Sequence, residues 1–121
     1  MNEEFWELLD RLVAQSEIVI DRPKGSAHPR YPHLLHEVAY GYLKNTASPD
    51  GDGIDVWVGT GSDGVVGIVC TVDAVKRDSE IKILLNCSES ERDTILKFHN
   101  RTQSMKGILI ERGADALSDF R

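Results

Sequence analysis

Three carboxylates fall within six residues at Asp50-Gly51-Asp52-Gly53-Ile54-Asp55, a stretch that follows Tyr40-Gly41-Tyr42 and runs straight into the apolar Val56-Trp57-Val58. Like charges brought to within ~4 Å repel by about 4 kcal/mol at an effective dielectric of 20, so the fold has to separate or neutralise them. One solution is an ordinary turn that splays all three into water, and Ser48-Pro49-Asp50-Gly51 is good turn chemistry. The other is a pocket that gathers hard cations, because carboxylate oxygens suit Mg²⁺ and Ca²⁺. In extended chain Asp50 and Asp52 share a face, and Asp55 rejoins them only if the backbone turns at Gly53. An EF-hand loop is excluded, since Ile54, Asp55 and Gly61 stand where it needs a ligand, its glycine and its closing glutamate. Residue types alone leave both solutions open.

The rest of the chain bounds the choice. Its 121 residues, 40% hydrophobic and 28% charged, predict one globular domain that buries a core without staples. A formal net charge of −6 argues against a nucleic-acid or membrane-surface binder, because counterion release needs a basic face. Cys70 and Cys87 lie in apolar, strand-like segments and are expected to be buried, reduced thiols. No apolar run approaches the ~18 residues that span a bilayer, and Met1-Asn2-Glu3-Glu4 lacks a secretory pattern, so the cytoplasm is the expected compartment.

Phe5, Leu8, Leu9 and Leu12 recur at helical spacing and predict an amphipathic packing helix over residues 3–14. Glu17 to Asp21 reads as a short strand stopped by Arg22-Pro23-Lys24-Gly25, followed by an aperiodic loop through Pro32. From Arg22 to Arg30 the segment carries three cations and is either merely solvated or an anion-binding lip. His28, His33, His36 and His99 show no zinc spacing and are expected at the surface or as caps. Val38 to Leu43 is a strand. Gly59 to Gly64 has the form G-x-G-x-x-G but leads into another strand, Val65 to Thr71, so the dinucleotide reading fails and a hairpin connection is expected. Asp73, Asp78 and Glu80 form a second acidic cluster before the strand Ile81 to Leu85. At the same rim of a sheet the two clusters would make one polyanionic mouth; otherwise they are charged hairpin tips. Ser88 and Glu91 form a capping box for a helix to about His99, with Ile95 and Phe98 inward. Met105 to Glu111 is a last strand, and Ala114 to Phe120 a short helix or frayed end. Together these elements predict a mainly β, α+β fold: a small closed or partly open antiparallel barrel with flanking helices.

The run Tyr40-Gly41-Tyr42, then Asp50-Gly51-Asp52-Gly53-Ile54-Asp55-Val56, closely resembles the soluble family I inorganic pyrophosphatases, whose hallmark is a D-x-D-x-x-D loop at this distance after a Y-G-Y strand. The similarity extends back to Ile20-Asp21-Arg22-Pro23-Lys24-Gly25-Ser26 and Arg30-Tyr31, and forward through Val66-Gly67 to Asp73, Glu80 and Lys82. The resemblance implies an OB-like pyrophosphatase fold that is homo-oligomeric. It implies that Asp50, Asp55 and an acid of the second cluster, Asp78 or Glu80, hold the Mg²⁺ that activates water. Asp52 would be the general base, Asp73 would bind metal arriving with the substrate, and Tyr40 and Lys82 would contact phosphate. Asp21, a further metal ligand, stands where the family has a glutamate, and Arg30, a catalytic phosphate contact, where it has a lysine; Lys24 and Arg101 are further phosphate-binding candidates, with Lys106 behind them. In two places the chain departs from the pattern. The interval between Arg30-Tyr31 and Tyr40 is too short for the family's hairpin and its phosphate-binding arginine, and the family's C-terminal tyrosine-lysine pair is replaced at best by Asn100-Arg101.

Pyrophosphate is a dense anion, and its hydrolysis needs charge neutralisation, an activated water and a stabilised leaving group, all of which Mg²⁺ can supply. The expected activity is therefore Mg²⁺-dependent hydrolysis of inorganic pyrophosphate to two phosphates. The alternatives are hydrolysis of a nucleotide or other phosphoanhydride, and a non-catalytic metal- or phosphate-binding module.

Overall fold

The computed structural model describes residues 3–48 and 51–113. In chain order the elements are α1 (Glu3–Ala14), β1 (Ile18–Arg22), β2 (Ala39–Leu43), β3 (Ile54–Val58), β4 (Val65–Asp73), β5 (Asp78–Leu85), α2 (Glu89–His99) and β6 (Met105–Glu111). The helix at 3–14 and the strand at 105–111 form where the periodicity places them. The tail 114–120 lies outside the described residues.

The strands make one six-stranded mixed sheet in the order β1-β2-β3-β5-β4-β6. Every pairing is antiparallel except β3 with β5, which run parallel through Val56↔Ile83, Trp57↔Leu84 and Val58↔Leu85. The expected antiparallel barrel does not form. β1 pairs only with β2 and β6 only with β4, so the sheet stays open at both edges. A barrel buries its inner face on itself, whereas here each face finds a helix. Along β3, β5 and β4 the neighbours Val56/Trp57, Ile83/Leu84 and Ile68/Val69 alternate between two cores. The first of each pair joins Trp6 of α1 and Leu43; the second joins Ile95 of α2 and Cys87. Burial on both faces accounts for the uninterrupted apolar runs in these strands.

The expected hairpin at Gly59 to Gly64 is also corrected, because β5 inserts between β3 and β4 and the connection has to step over it. The Gly59 and Gly61 N–H groups donate to Leu85 O and Asn86 O at 2.8 Å, tying the crossing to the end of β5. Glu91 closes the predicted capping box, accepting from Ser88 N at 2.9 Å, and its carboxylate also accepts from Thr60 N at 3.2 Å. No helix among the described residues is long and apolar enough to cross a membrane.

At Gly41 the backbone of β1 fills the space a side chain would need. A Cβ there would collide with the Val19 carbonyl oxygen and lie 2.9 Å from Ile20 Cα, both backbone atoms that cannot swing aside. Gly41→Ala is expected to cost about 2–3 kcal/mol by overpacking, read as a lower urea midpoint at unchanged slope.

Candidate active site

The parallel pairing of β3 and β5 does what the two acidic segments could not do locally. Both strands start from the same rim, so Asp55, the last acid of the first stretch, lies beside Lys82 and Glu80, the last acid of the second cluster. Tyr42 faces Asp55 across β2–β3 and Tyr40 faces Trp57. Tyr40, Tyr42, Asp55, Glu80 and Lys82 project on the α2 face, beyond the Trp57 that α2 covers.

There they line a cleft of about 370 Å³ together with Asp21, Arg22, Asp52 and Lys76. Lys82 is its centre. The ammonium donates to Asp55 Oδ2 at 2.5 Å, Glu80 Oε2 at 2.8 Å and Tyr40 Oη at 3.2 Å, which uses all three of its protons. Its side chain is 7% exposed and its carboxylate partners 17% and 11%, so these are largely desolvated charges. Burial alone would lower the Lys82 pKa; the Tyr40 oxygen, Asp55 and Glu80 outweigh it and hold the ammonium protonated above its ordinary range. Burial raises the Tyr40 pKa, so its phenol keeps a proton to donate.

The cleft thus contains Asp21, Asp52, Asp55 and Glu80 against Arg22, Lys76 and Lys82. Of the expected metal ligands, Asp50 lies outside the described residues. Asp73 is kept for structure, its Oδ1 accepting from Val75 N and Lys76 N at 3.0 Å to cap the β4–β5 turn. Asp78 pairs with Asp73 across the ladder and does not line the cleft, leaving Glu80 as the acid of the second cluster that does. Among the described residues no group of three His, Cys, Asp or Glu side chains forms a ready metal cage. The donor set nonetheless fits Mg²⁺. Asp55 and Glu80 offer oxygens close enough to share one ammonium, and Mg²⁺ is commonly held by one or two carboxylates with water and phosphate completing its shell.

The expected phosphate contacts divide. Tyr40 and Lys82 line the cleft, whereas Lys24, Arg30 and Arg101 do not. Lys24 belongs to the exposed turn ahead of Gly25. Arg30 sits in an exposed loop whose Arg30 and Tyr31 N–H groups donate to His28 Nδ1 at 3.0 and 3.1 Å. Arg101 stacks on Phe98, 3.9 Å from the ring centroid, and donates to Phe98 O at 2.8 Å. Lys106 is tied to Asn100 O at 3.0 Å. In their place the cleft presents Arg22 and Lys76. Arg22 belongs to the cationic run already suspected of binding anions; Lys76 carries no sequence signal beyond its position in a turn.

His33 is exposed and His28 caps the Arg30 and Tyr31 N–H groups, as expected for surface or capping groups, but two histidines depart from that placement. His36 and His99 are 3% and 4% exposed. His36 is stacked between His28 and Tyr40, with centroids 5.7 and 6.3 Å away. Burial, and after it the charge of Arg22, holds His36 below the usual histidine value. His99 Nε2 accepts from Trp57 Nε1 at 3.0 Å, which assigns the ring proton to Nδ1. Burial, followed by Lys82 and Arg101, pushes His99 down to about 3 from 6.5. The unfolded chain then takes up a proton that the folded chain refuses. Stability is therefore lost as pH falls from 6.5 toward 3, by roughly 1 kcal/mol per pH unit. Urea titrations across that range are expected to show a flatter acid limb for His99→Gln than for the wild type.

Compared with protein-family models and with curated proteins, the chain matches none of them.

Proposed function

We propose that the chain hydrolyses inorganic pyrophosphate to two phosphates in a Mg²⁺-dependent reaction. The observation that carries this reading is the meeting of Asp55 and Glu80, from opposite sides of the β3–β5 seam, on one buried ammonium in a cleft that also holds Asp21 and Asp52. Such a concentration of acid beside fixed cations suits a metal-phosphate pair better than either ion alone. When bound, Mg²⁺ would neutralise the phosphates and make water a stronger acid. Asp55 and Glu80 would hold it, with Asp21 at the mouth. Asp52 accepts the proton of the attacking water. Lys82 orients both ligand carboxylates, and the Tyr40 phenol donates to a phosphoryl oxygen, where a fixed donor is worth most as charge develops. The six-stranded sheet would be a reduced form of the OB-like pyrophosphatase barrel, lacking the hairpin between Arg30-Tyr31 and Tyr40.

Phosphate release from pyrophosphate in Mg²⁺, with Ca²⁺ and chelator controls, tests the reading. Turnover that requires Mg²⁺ is the expected result. Faster release from nucleoside triphosphates would move the substrate to a larger phosphoanhydride. Metal binding without turnover of any phosphoanhydride would leave a binding module.

A further inference from the structure

We infer that Arg22 and Lys76 are the anion-gripping pair of the cleft, holding the two phosphoryl ends of a compact diphosphate between them. The inference rests on the cleft being a phosphate site, but it concerns residues that the pyrophosphatase resemblance gives no role.

Arg22 reaches the cleft because of a backbone irregularity. The β1–β2 ladder runs Ile18↔Leu43, Val19↔Tyr42, Ile20↔Gly41 and then slips, so that Arg22, in place of Asp21, faces Tyr40. In a regular ladder Asp21 would face Tyr40 and Arg22 would project on the opposite side of the sheet. With Asp21 as the extra residue, Arg22 turns to the face shared by Tyr40, Asp55 and Lys82, a common use of bulges beside functional sites. The nearest acid, Asp21, is 3.9 Å from the guanidinium and 57% exposed, a loose pair in a screened position.

Lys76 comes from the other flank. Its turn is held at both ends by Asp73, through the carboxylate bonds to Val75 N and Lys76 N and through Arg77 N to Asp73 O at 2.8 Å. Across the cleft in sheet order stand Arg22 on β1, Tyr40 on β2, Asp55 on β3, Glu80 and Lys82 on β5, and Lys76 on the turn before β5. Carboxylates fill the middle and a long cation overhangs each side. Both side chains line the one cleft of about 370 Å³, so their charged heads meet a small anion held there from two flanks. A guanidinium fork suits one phosphoryl group bidentately, and an ammonium suits the other as a point charge. Such a pair selects a short diphosphate.

The test is calorimetric titration with methylenediphosphonate, whose carbon bridge resists hydrolysis, in Mg²⁺, alongside steady-state kinetics with pyrophosphate. Arg22→Gln and Lys76→Gln are each expected to weaken diphosphonate binding by about tenfold or more, the scale of a hydrogen bond to a charged group. KM should rise more than kcat falls, Mg²⁺ affinity without the anion should stay within about twofold of wild type, and Arg22→Lys should recover part of the loss. Lys24→Gln and Arg30→Gln should bind as the wild type does. If Arg22→Gln and Lys76→Gln bind the diphosphonate normally, the pair is overturned whatever the turnover. If the wild type binds it through these residues but releases no phosphate from pyrophosphate, the hydrolase reading fails and the pair stands. A wild type that does not bind the diphosphonate overturns both.

Discussion

Lys82→Met is expected to lower the unfolding free energy by about 3–5 kcal/mol in chelator, the cost of removing one partner from a buried ion pair. Methionine fills nearly the same volume, so lost packing contributes little. What remains is Asp55 facing Glu80, 17% and 11% exposed, with no cation between them. The wild-type ammonium, its pKa raised above the ordinary lysine value, contributes its stability in full at neutral pH and loses it only in strong alkali. Mg²⁺ sets the direction of the second half of the experiment. A cation drawn to the vacated carboxylates stabilises the variant by mass action, by about 2.7 kcal/mol at a hundredfold excess over its dissociation constant. Urea unfolding of both proteins with and without Mg²⁺ is the measurement. A variant that gains nothing from Mg²⁺ would show that Asp55 and Glu80 do not take metal.

Asp52→Asn is expected to reduce pyrophosphate turnover by about 10²–10⁴-fold, the usual worth of a positioned general base. The amide matches the carboxylate in shape, so the cleft and its stability should be little changed. KM should move much less than kcat, because the proton is transferred only on the way to the transition state. Phosphate release under saturating pyrophosphate and Mg²⁺ reads the effect directly. Turnover equal to wild type would remove Asp52 from the mechanism while leaving the metal and anion contacts untouched.

The sequence was most legible where structure is local. Helical spacing placed α1 and the Ser88–Glu91 box opened α2. Asp52, Asp55 and Glu80 stand out as acids crowded into short stretches, whereas Tyr40 and Lys82 are singled out by the resemblance to the pyrophosphatase pattern. Non-local pairing was not legible. An apolar run buried on both faces looks the same whether its neighbours are parallel or antiparallel, so the insertion of β5 beside β3 was missed, along with the open sheet and the crossing at Gly59 to Gly64. The slip at Asp21 has no signature in residue type, and it alone turns Arg22 toward the cleft. The burial of His36 and His99 has no signature in the sequence, because a polar residue gives no hint of a tryptophan or a ring stack waiting across the sheet. Lys24, Arg30 and Arg101 were chosen for charge, and charge does not say which way a loop will lean.

Residues 18–58 close on themselves as β1, β2 and β3, and residues 65–111 as β4, β5, α2 and β6. Among the described residues, only the short β3–β5 ladder stitches the two backbones edge to edge. Arg22, Tyr40 and Asp55 come from the first half, and Lys76, Glu80 and Lys82 from the second. An occupant of the cleft would therefore act as a clasp across the shortest ladder in the sheet, and slower amide exchange at Trp57 and Leu84 would register its arrival.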